Sequence, residues 1–217
     1  MEKINYQKQL EKLLEQLKTN GEKPTLLLHS CCAPCSSYVI EYLVEFFKIT
    51  VYYYNPNIFP KEEHEKRKAE QKRLIGIMNE SGKQITFTDD GYDEQTFKLI
   101  SKGLENDSEG GNRCTKCYEL RLDKTARKAA IQKFDYFCTT LSVSPYKNAK
   151  KINDIGKILE KKYNAKYLIS DFKKREGYKR SIELSKQYEL YRQEYCGCES
   201  SLKQARKMQK KEDDIAK

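Results

Sequence analysis

The chain has 217 residues, 38% hydrophobic and 34% charged, with a formal net charge of +10, no Trp, 16 Tyr and 8 Phe. That length supports an ordinary hydrophobic core, so a small scaffold stapled by disulfides is excluded as the reason for eight cysteines. The amino terminus "MEKINYQKQLEKLLEQLKTN" lacks the apolar centre of a secretory signal, and no apolar run reaches the length of a membrane span. A cytoplasmic protein with no membrane partner is expected, and its reduced cysteines read as ligands or redox groups.

The chain opens on an amphipathic helix over 1–20, with Leu10, Leu13, Leu14 and Leu17 on one face. Five strand-like runs follow: "PTLLLHS", "KITVYYYN", "QITFTDD", "FDYFCTTL" and "AKYLIS". Helical segments fall between them, at about 34–48, from Pro60 to Ser81, and at 93–105, 114–133 and 147–163. This alternation predicts an α/β fold, a Rossmann-like (HUP-like) three-layer sandwich with a mostly parallel five-stranded sheet. One domain is expected over 1–217: an α/β core at 24–171, the N-terminal helix, and a helical, basic C-terminal extension at 172–217 carrying a cysteine pair. From Lys173 to Lys217 there are 13 Lys and Arg against 8 Asp and Glu, +5, or half the total excess. Such a face suits nucleic acid and equally suits a solvated helix.

With strand order 3-2-1-4-5, ligands collect between the carboxyl ends of the first and fourth strands, where "HSCCAPCSS" and "TTLSVSPYK" lie. Seven of the eight cysteines fall in close groups: Cys31, Cys32 and Cys35; Cys114 and Cys117; Cys196 and Cys198. Two cysteines three apart at a helix start project from one side of a turn, and the helix N-terminus favours the thiolate. Cys32/Cys35 and Cys114/Cys117 fit that spacing, which suits zinc or an iron–sulfur cluster. Seven thiols exceed the four of a structural zinc site and point to a cluster plus a second redox or metal element. The "CAPC" turn resembles a dithiol active site, but Cys31 and the two further pairs count against it. From Pro24 to Tyr38 there is no glycine, which argues against a phosphate-binding loop in this turn.

Cys138 reads as a small buried core residue. Cys196 and Cys198 flank a glycine and suit either a strained disulfide or a shared metal. Tyr54, Asn55 and Asn57 fall at the end of the second strand, where Asn can read a base or sugar or can punctuate a turn. Asp171 at the end of the fifth strand suits a proton donor, a metal ligand or a helix cap. His29 reads as a hydrogen-bonded neighbour of the cysteines, His64 as a solvated helix residue, and Ser144 before Pro145 as a helix cap. The Gly-rich stretch "ENDSEGGNRC" reads as a mobile loop.

The series "HSCCAPC", "YNPNIFP", "RCTKCYELRL", "TTLSVSPYK", "SDFKKREGY" and "LYRQEYCGC", in this order from His29 to Cys198, resembles the cobalamin-independent epoxyqueuosine reductases, the QueH family. The resemblance implies an oxidoreductase that reduces epoxyqueuosine to queuosine in tRNA. Its substrate would be tRNA carrying epoxyqueuosine in the anticodon loop, its cofactor a [4Fe–4S] cluster, and its electron donor unknown. It further implies Cys31, Cys32, Cys114 and Cys117 as cluster ligands. Cys196 and Cys198 would be a redox-active pair or ligands of an additional mononuclear iron, with Cys35 a candidate ligand of that iron. A zinc-stabilised RNA-binding protein, or a dithiol or sulfur-transfer enzyme acting on tRNA, is the alternative.

Overall fold

The computed structural model describes residues 4–215; the first three residues of the expected N-terminal helix and the last two of the extension lie outside the described residues. Five parallel strands, β1 (Thr25–His29), β2 (Lys48–Tyr53), β3 (Thr86–Asp89), β4 (Tyr136–Thr139) and β5 (Lys166–Tyr167), form one sheet. Their order is β3-β2-β1-β4-β5. Among the described residues there are eight α-helices, α1 (Tyr6–Asn20), α2 (Ala33–Leu43), α3 (Lys61–Glu80), α4 (Glu94–Ser101), α5 (Asn112–Ile131), α6 (Ala149–Tyr163), α7 (Gly177–Gln187) and α8 (Glu199–Ile215). This is the three-layer α/β sandwich that the alternation of strands and helices predicts. Among the described residues, no helix is long and apolar enough to cross a membrane.

The sheet is covered on both faces because its strands are apolar on both. Leu26 and Leu28 of β1 join Ile49, Val51 and Cys138 in a core with α1, α2, α3 and α7. Leu27, Tyr52 and Phe137 point to the opposite core, which α5 and α6 close with Tyr118, Leu122, Ala126, Ile152 and Leu159. Alternate residues of one strand thus fill two cores, as strand periodicity requires. Cys138 is fully buried, as its place in an apolar strand predicts.

Three local expectations are corrected. The fifth strand is only two residues long. One further bond runs from Leu168 N–H to the Phe137 carbonyl, and then buried Asn153 takes over Ser170, accepting from its N–H at 3.0 Å and donating to its carbonyl at 2.9 Å. Ser144 does not cap α6; Asn148 does, accepting from the Lys151 N–H at 3.1 Å, while the Ser144 carbonyl closes a turn to Lys147. His64 is fully buried, because the inward stripe of α3 carries His64, Arg67 and Gln71 at one end and Leu74, Ile75 and Met78 at the other.

Candidate metal and redox site

The turn after β1 makes the first wall of the site. β1 runs straight into Ser30, Cys31 and Cys32, and Cys32 is the N-cap of α2 with Pro34 in the first turn. A buried polar brace holds this turn: Gln71 Oε1 accepts from both Ser30 Oγ and Ser36 Oγ at 2.7 Å. The His29 ring is locked between Thr139 Oγ1 at 2.9 Å and the Tyr54 carbonyl at 3.1 Å, so neither nitrogen is free to ligate. Burial, helped by the Arg121 charge, pushes its pKa down to about 3, and the ring stays neutral.

Within this turn the sulfurs of Cys31, Cys32 and Cys35 all lie within 4.8 Å of one another, and Cys31 and Cys32 are 3.7 Å apart. That is the edge of a tetrahedron about 3.8 Å wide around an ion with 2.3 Å metal–sulfur bonds. The three thiols share protons unequally. Hydrogen bonds from Cys32 and Cys35, then the charges of Lys147 and Arg121, hold Cys31 well below the ordinary thiol range. Cys31 in turn pushes Cys32 up to about 12 and raises Cys35.

The second pair lies on the first turns of α5. Cys114 Sγ accepts from the Gly110 N–H at 3.3 Å, and buried Cys117 faces inward one turn on. Burial raises both thiols, Cys117 to about 12, and charge on Cys196 and Cys198 adds to it. The Gly-rich loop ahead of this pair is clamped: Arg113 Nη1 donates to the carbonyls of Leu104, Glu105 and Asp107 at 2.7–3.0 Å.

The third pair arrives from the C-terminal extension and splits around Gly197. Cys196 lines the cavity with Cys31 and Cys35. Cys198 turns away and packs with Cys117 and Phe97. Gly197 has φ +140, which no residue with a Cβ adopts without strain, and an added Cβ would meet Asn57 and Ile58 at 3.1 Å. The segment is tied to the loop after β2 by the Phe59 N–H to the Gly197 carbonyl at 2.9 Å. Arg67 Nη1 and Nη2 add bonds to the carbonyls of Cys196 at 3.2 Å and Tyr195 at 3.3 Å.

Cys31, Cys35 and Cys196 line one cavity of about 520 Å³, with Cys32 beside Cys31, while Cys198 packs on Cys117. The cavity wall includes Ser144, Tyr146, Lys147, Arg192, Gln193 and Cys196. The triple Cys31–Cys32–Cys35 is the tightest thiol group; Cys114 and Cys117 sit outside its radius. Two cations spacing alone did not single out balance the thiols. Arg121, 2% exposed, donates from Nε to the Cys117 carbonyl at 3.1 Å and leaves Nη2 with no partner. Lys147, whose burial alone would oppose its charge, is held positive by Cys196, Cys31 and Cys35. Arg121 stands one turn beyond Cys117 in "RCTKCYELRL", and that i, i+4 spacing is the signal that could have found it.

The remaining sequence candidates sit elsewhere. Tyr54, Asn55 and Asn57 are 1%, 0% and 3% exposed and do not line the cavity. The chain turns inward after β2, and Asn55 Nδ2 donates to the Ser30 carbonyl at 2.8 Å, bracing the cysteine turn from behind. Asp171 pairs with Lys173 at 2.6 Å and also lies outside the cavity lining.

An iron–sulfur cluster fits this donor set. Cys31, Cys32 and Cys35 offer three soft sulfur donors within 4.8 Å of one another, and the unpartnered Arg121 Nη2 is a buried donor that an anionic group would satisfy.

Comparison with known proteins agrees in sequence. The family model for "Epoxyqueuosine reductase QueH" matches residues 26–204. An epoxyqueuosine reductase QueH of Streptococcus pyogenes serotype M1 is 43% identical over 198 residues, covering 91% of this chain and 78% of that protein. One from Staphylococcus epidermidis is 44% identical over 200 residues, 91% and 84% of the two chains. One from Thermotoga maritima is 35% identical over 185 residues, 84% and 92%. Among solved structures, the U34-tRNA thiolase NcsA from Methanococcus maripaludis with its [4Fe-4S] cluster aligns at TM-score 0.47 and 14% identity, over 94% of this chain and 77% of that one.

Proposed function

The chain belongs to the epoxyqueuosine reductase QueH family, and from that premise we propose that it reduces epoxyqueuosine to queuosine in tRNA, at an iron–sulfur site held by its grouped cysteines. The assignment takes Cys31, Cys32, Cys114 and Cys117 as the residues that would hold the cluster, and the observation that supports an iron–sulfur site most is the tight Cys31–Cys32–Cys35 triple in a cavity wall shared with Cys196 and Lys147.

Converting an epoxide to an alkene breaks two C–O bonds and releases the oxygen as water, taking two electrons and two protons. A bound cluster would supply electrons one at a time, so a second centre must hold or relay the other. Cys196, in the cavity wall with Cys31 and Cys35, is placed for that task, either as half of a dithiol with Cys198 or as a ligand of a further iron. The Lys147 ammonium, beside the same three sulfurs, offers a hydrogen bond to the epoxide oxygen as negative charge develops there. Gln193, with its Oε1 buried and unpartnered, offers an acceptor to a substrate hydroxyl. The basic extension supplies attraction for RNA, and a loop base is more easily extruded than a paired one.

The test is anaerobic purification with iron, zinc and acid-labile sulfide counted per chain, followed by turnover of epoxyqueuosine tRNA with a chemical reductant. Acid-labile sulfide with at least as much iron, and queuosine as product, support the assignment. One zinc, no sulfide and no turnover after reconstitution would instead favour the single-ion reading that the tight Cys31–Cys32–Cys35 triple suits. Replacing Cys196 or Cys198 by Ser should leave the acid-labile sulfide count unchanged and stop turnover.

A further inference from the structure

Trp is absent from the chain, so any aromatic platform for a nucleobase must come from Tyr, Phe or His. The large apolar side chains left exposed among the described residues are Ile4, Leu99, Ile131, Tyr146, Ile158 and Met208. Two of these six, Tyr146 and Met208, line the thiol cavity.

Tyr146 is there because of a tight turn. Ser144, Pro145, Tyr146 and Lys147 form it, with the Lys147 N–H bonded to the Ser144 carbonyl at 3.2 Å and proline in the second position. The turn sends Lys147 toward the sulfurs and leaves the Tyr146 ring at the mouth, 75% exposed. Met208 comes from α8, whose Ser201, Gln204, Ala205 and Met208 recur at helical spacing along the cavity. Two cations, Lys147 and Arg192, stand in the same cavity wall as Tyr146, and Arg192 is exposed. An exposed aromatic ring beside a cavity whose wall also carries cations is an arrangement that binds single-stranded nucleic acid, a base on the ring and phosphate on a cation. A redox protein partner would also accept an apolar patch, but the adjoining cations favour RNA.

Resting on the reductase reading above, we propose that Tyr146 is the stacking platform for an unpaired base of the tRNA anticodon loop, with Arg192 in the same cavity wall holding a phosphate of that strand. Tyr146 thus places the loop so that the modified base enters the cavity.

The test measures fluorescence anisotropy of a dye-labelled, unmodified anticodon stem-loop RNA with the intact protein. Tyr146→Ala should weaken binding by about ten-fold or more, the size of one base–aromatic stack, and Tyr146→Phe should bind like the wild type. Arg192→Gln should reduce the slope of log affinity against log salt by about one. Since Tyr146 is exposed, the melting temperature of Tyr146→Ala should match the wild type, so that a loss of affinity reports on contact with RNA. With modified tRNA, KM should rise in Tyr146→Ala while kcat holds. If the wild type binds the stem-loop and Tyr146→Ala binds it equally well, this inference alone is overturned. If the wild type does not bind it, the tRNA reading falls with it. Undiminished RNA affinity with a kcat that falls only with a protein reductant would assign the patch to that partner and overturn the RNA assignment.

Discussion

The Gln193 carboxamide nitrogen lies 3.1 Å from the Cys32 sulfur, joining residues 161 positions apart in the chain. A donor aimed at sulfur stabilises the more negative, reduced state of any centre that sulfur ligates. Gln193→Leu keeps most of the volume and removes the donor. The reduction potential of the reconstituted protein should fall by on the order of 50 mV, the one-electron equivalent of one net hydrogen bond. Potentiometric titration checks this, with iron content unchanged.

Arg67 holds the Cys196–Cys198 segment from underneath. It is 1% exposed, pairs with Glu63 at 2.6 Å and bonds two carbonyls of the segment. Arg67→Leu leaves the Glu63 carboxylate short of its partner and should cost about 3–5 kcal/mol of stability, as for other buried pairs broken on one side. Arg67→Lys should not rescue, because a single ammonium cannot serve three acceptors in a planar fork. Chemical denaturation gives the first number, and the alkylation rate of Cys196, which should rise in both variants, gives the second.

Gly177 opens α7 where an added Cβ would stand 2.0 Å from the Phe172 carbonyl and 2.3 Å from the Tyr38 ring. The first of these is backbone and cannot rotate away. Gly177→Ala should therefore lower stability by about 1–3 kcal/mol or more. Gly76, on the exposed side of α3 with nothing within 4 Å, is the contrast. Gly76→Ala should raise stability by about 0.5–1 kcal/mol through helix propensity. Paired thermal melts read both signs.

His64 gives the fold a pH-sensitive limb. Its ring packs against Tyr53 and Tyr92, its Nε2 has no partner, and burial lowers its pKa from the ordinary 6.5 despite Glu65. Below pH 6.5 the unfolded chain takes up a proton that the folded chain refuses. The His64 contribution is thus complete above that pH and declines as pH falls toward the lowered folded value. His64→Phe cannot take up that proton and should flatten this part of the curve of melting temperature against pH.

These residues show where sequence reading reaches and stops. Strand order and the two-faced core were legible because β1 and β2 carry apolar residues on both faces, and alternation with helices fixes parallel pairing. The place of the Cys31–Cys32–Cys35 turn beside the loop after β4 followed from that order. His64 and Arg67 were not legible, because a helix rich in Glu, Lys and Arg looks solvated until its inward stripe is known. The positions after β2 looked like a rim because they end a strand. Their role as a brace depends on Asn55 reaching Ser30, a contact no local pattern encodes. Gln193 lay in a stretch without regular structure and gave no signal at all.

Helix α8 starts at Glu199, immediately after Cys198, and Met208 lies ten residues on, about 15 Å along the axis. The helical part of the cavity wall and the cysteine pair thus belong to one continuous stretch of chain, rooted at the Gly197 joint that Arg67 and the Phe59 N–H hold against the body, so the position of the wall and the position of Cys196 are set by the same anchor.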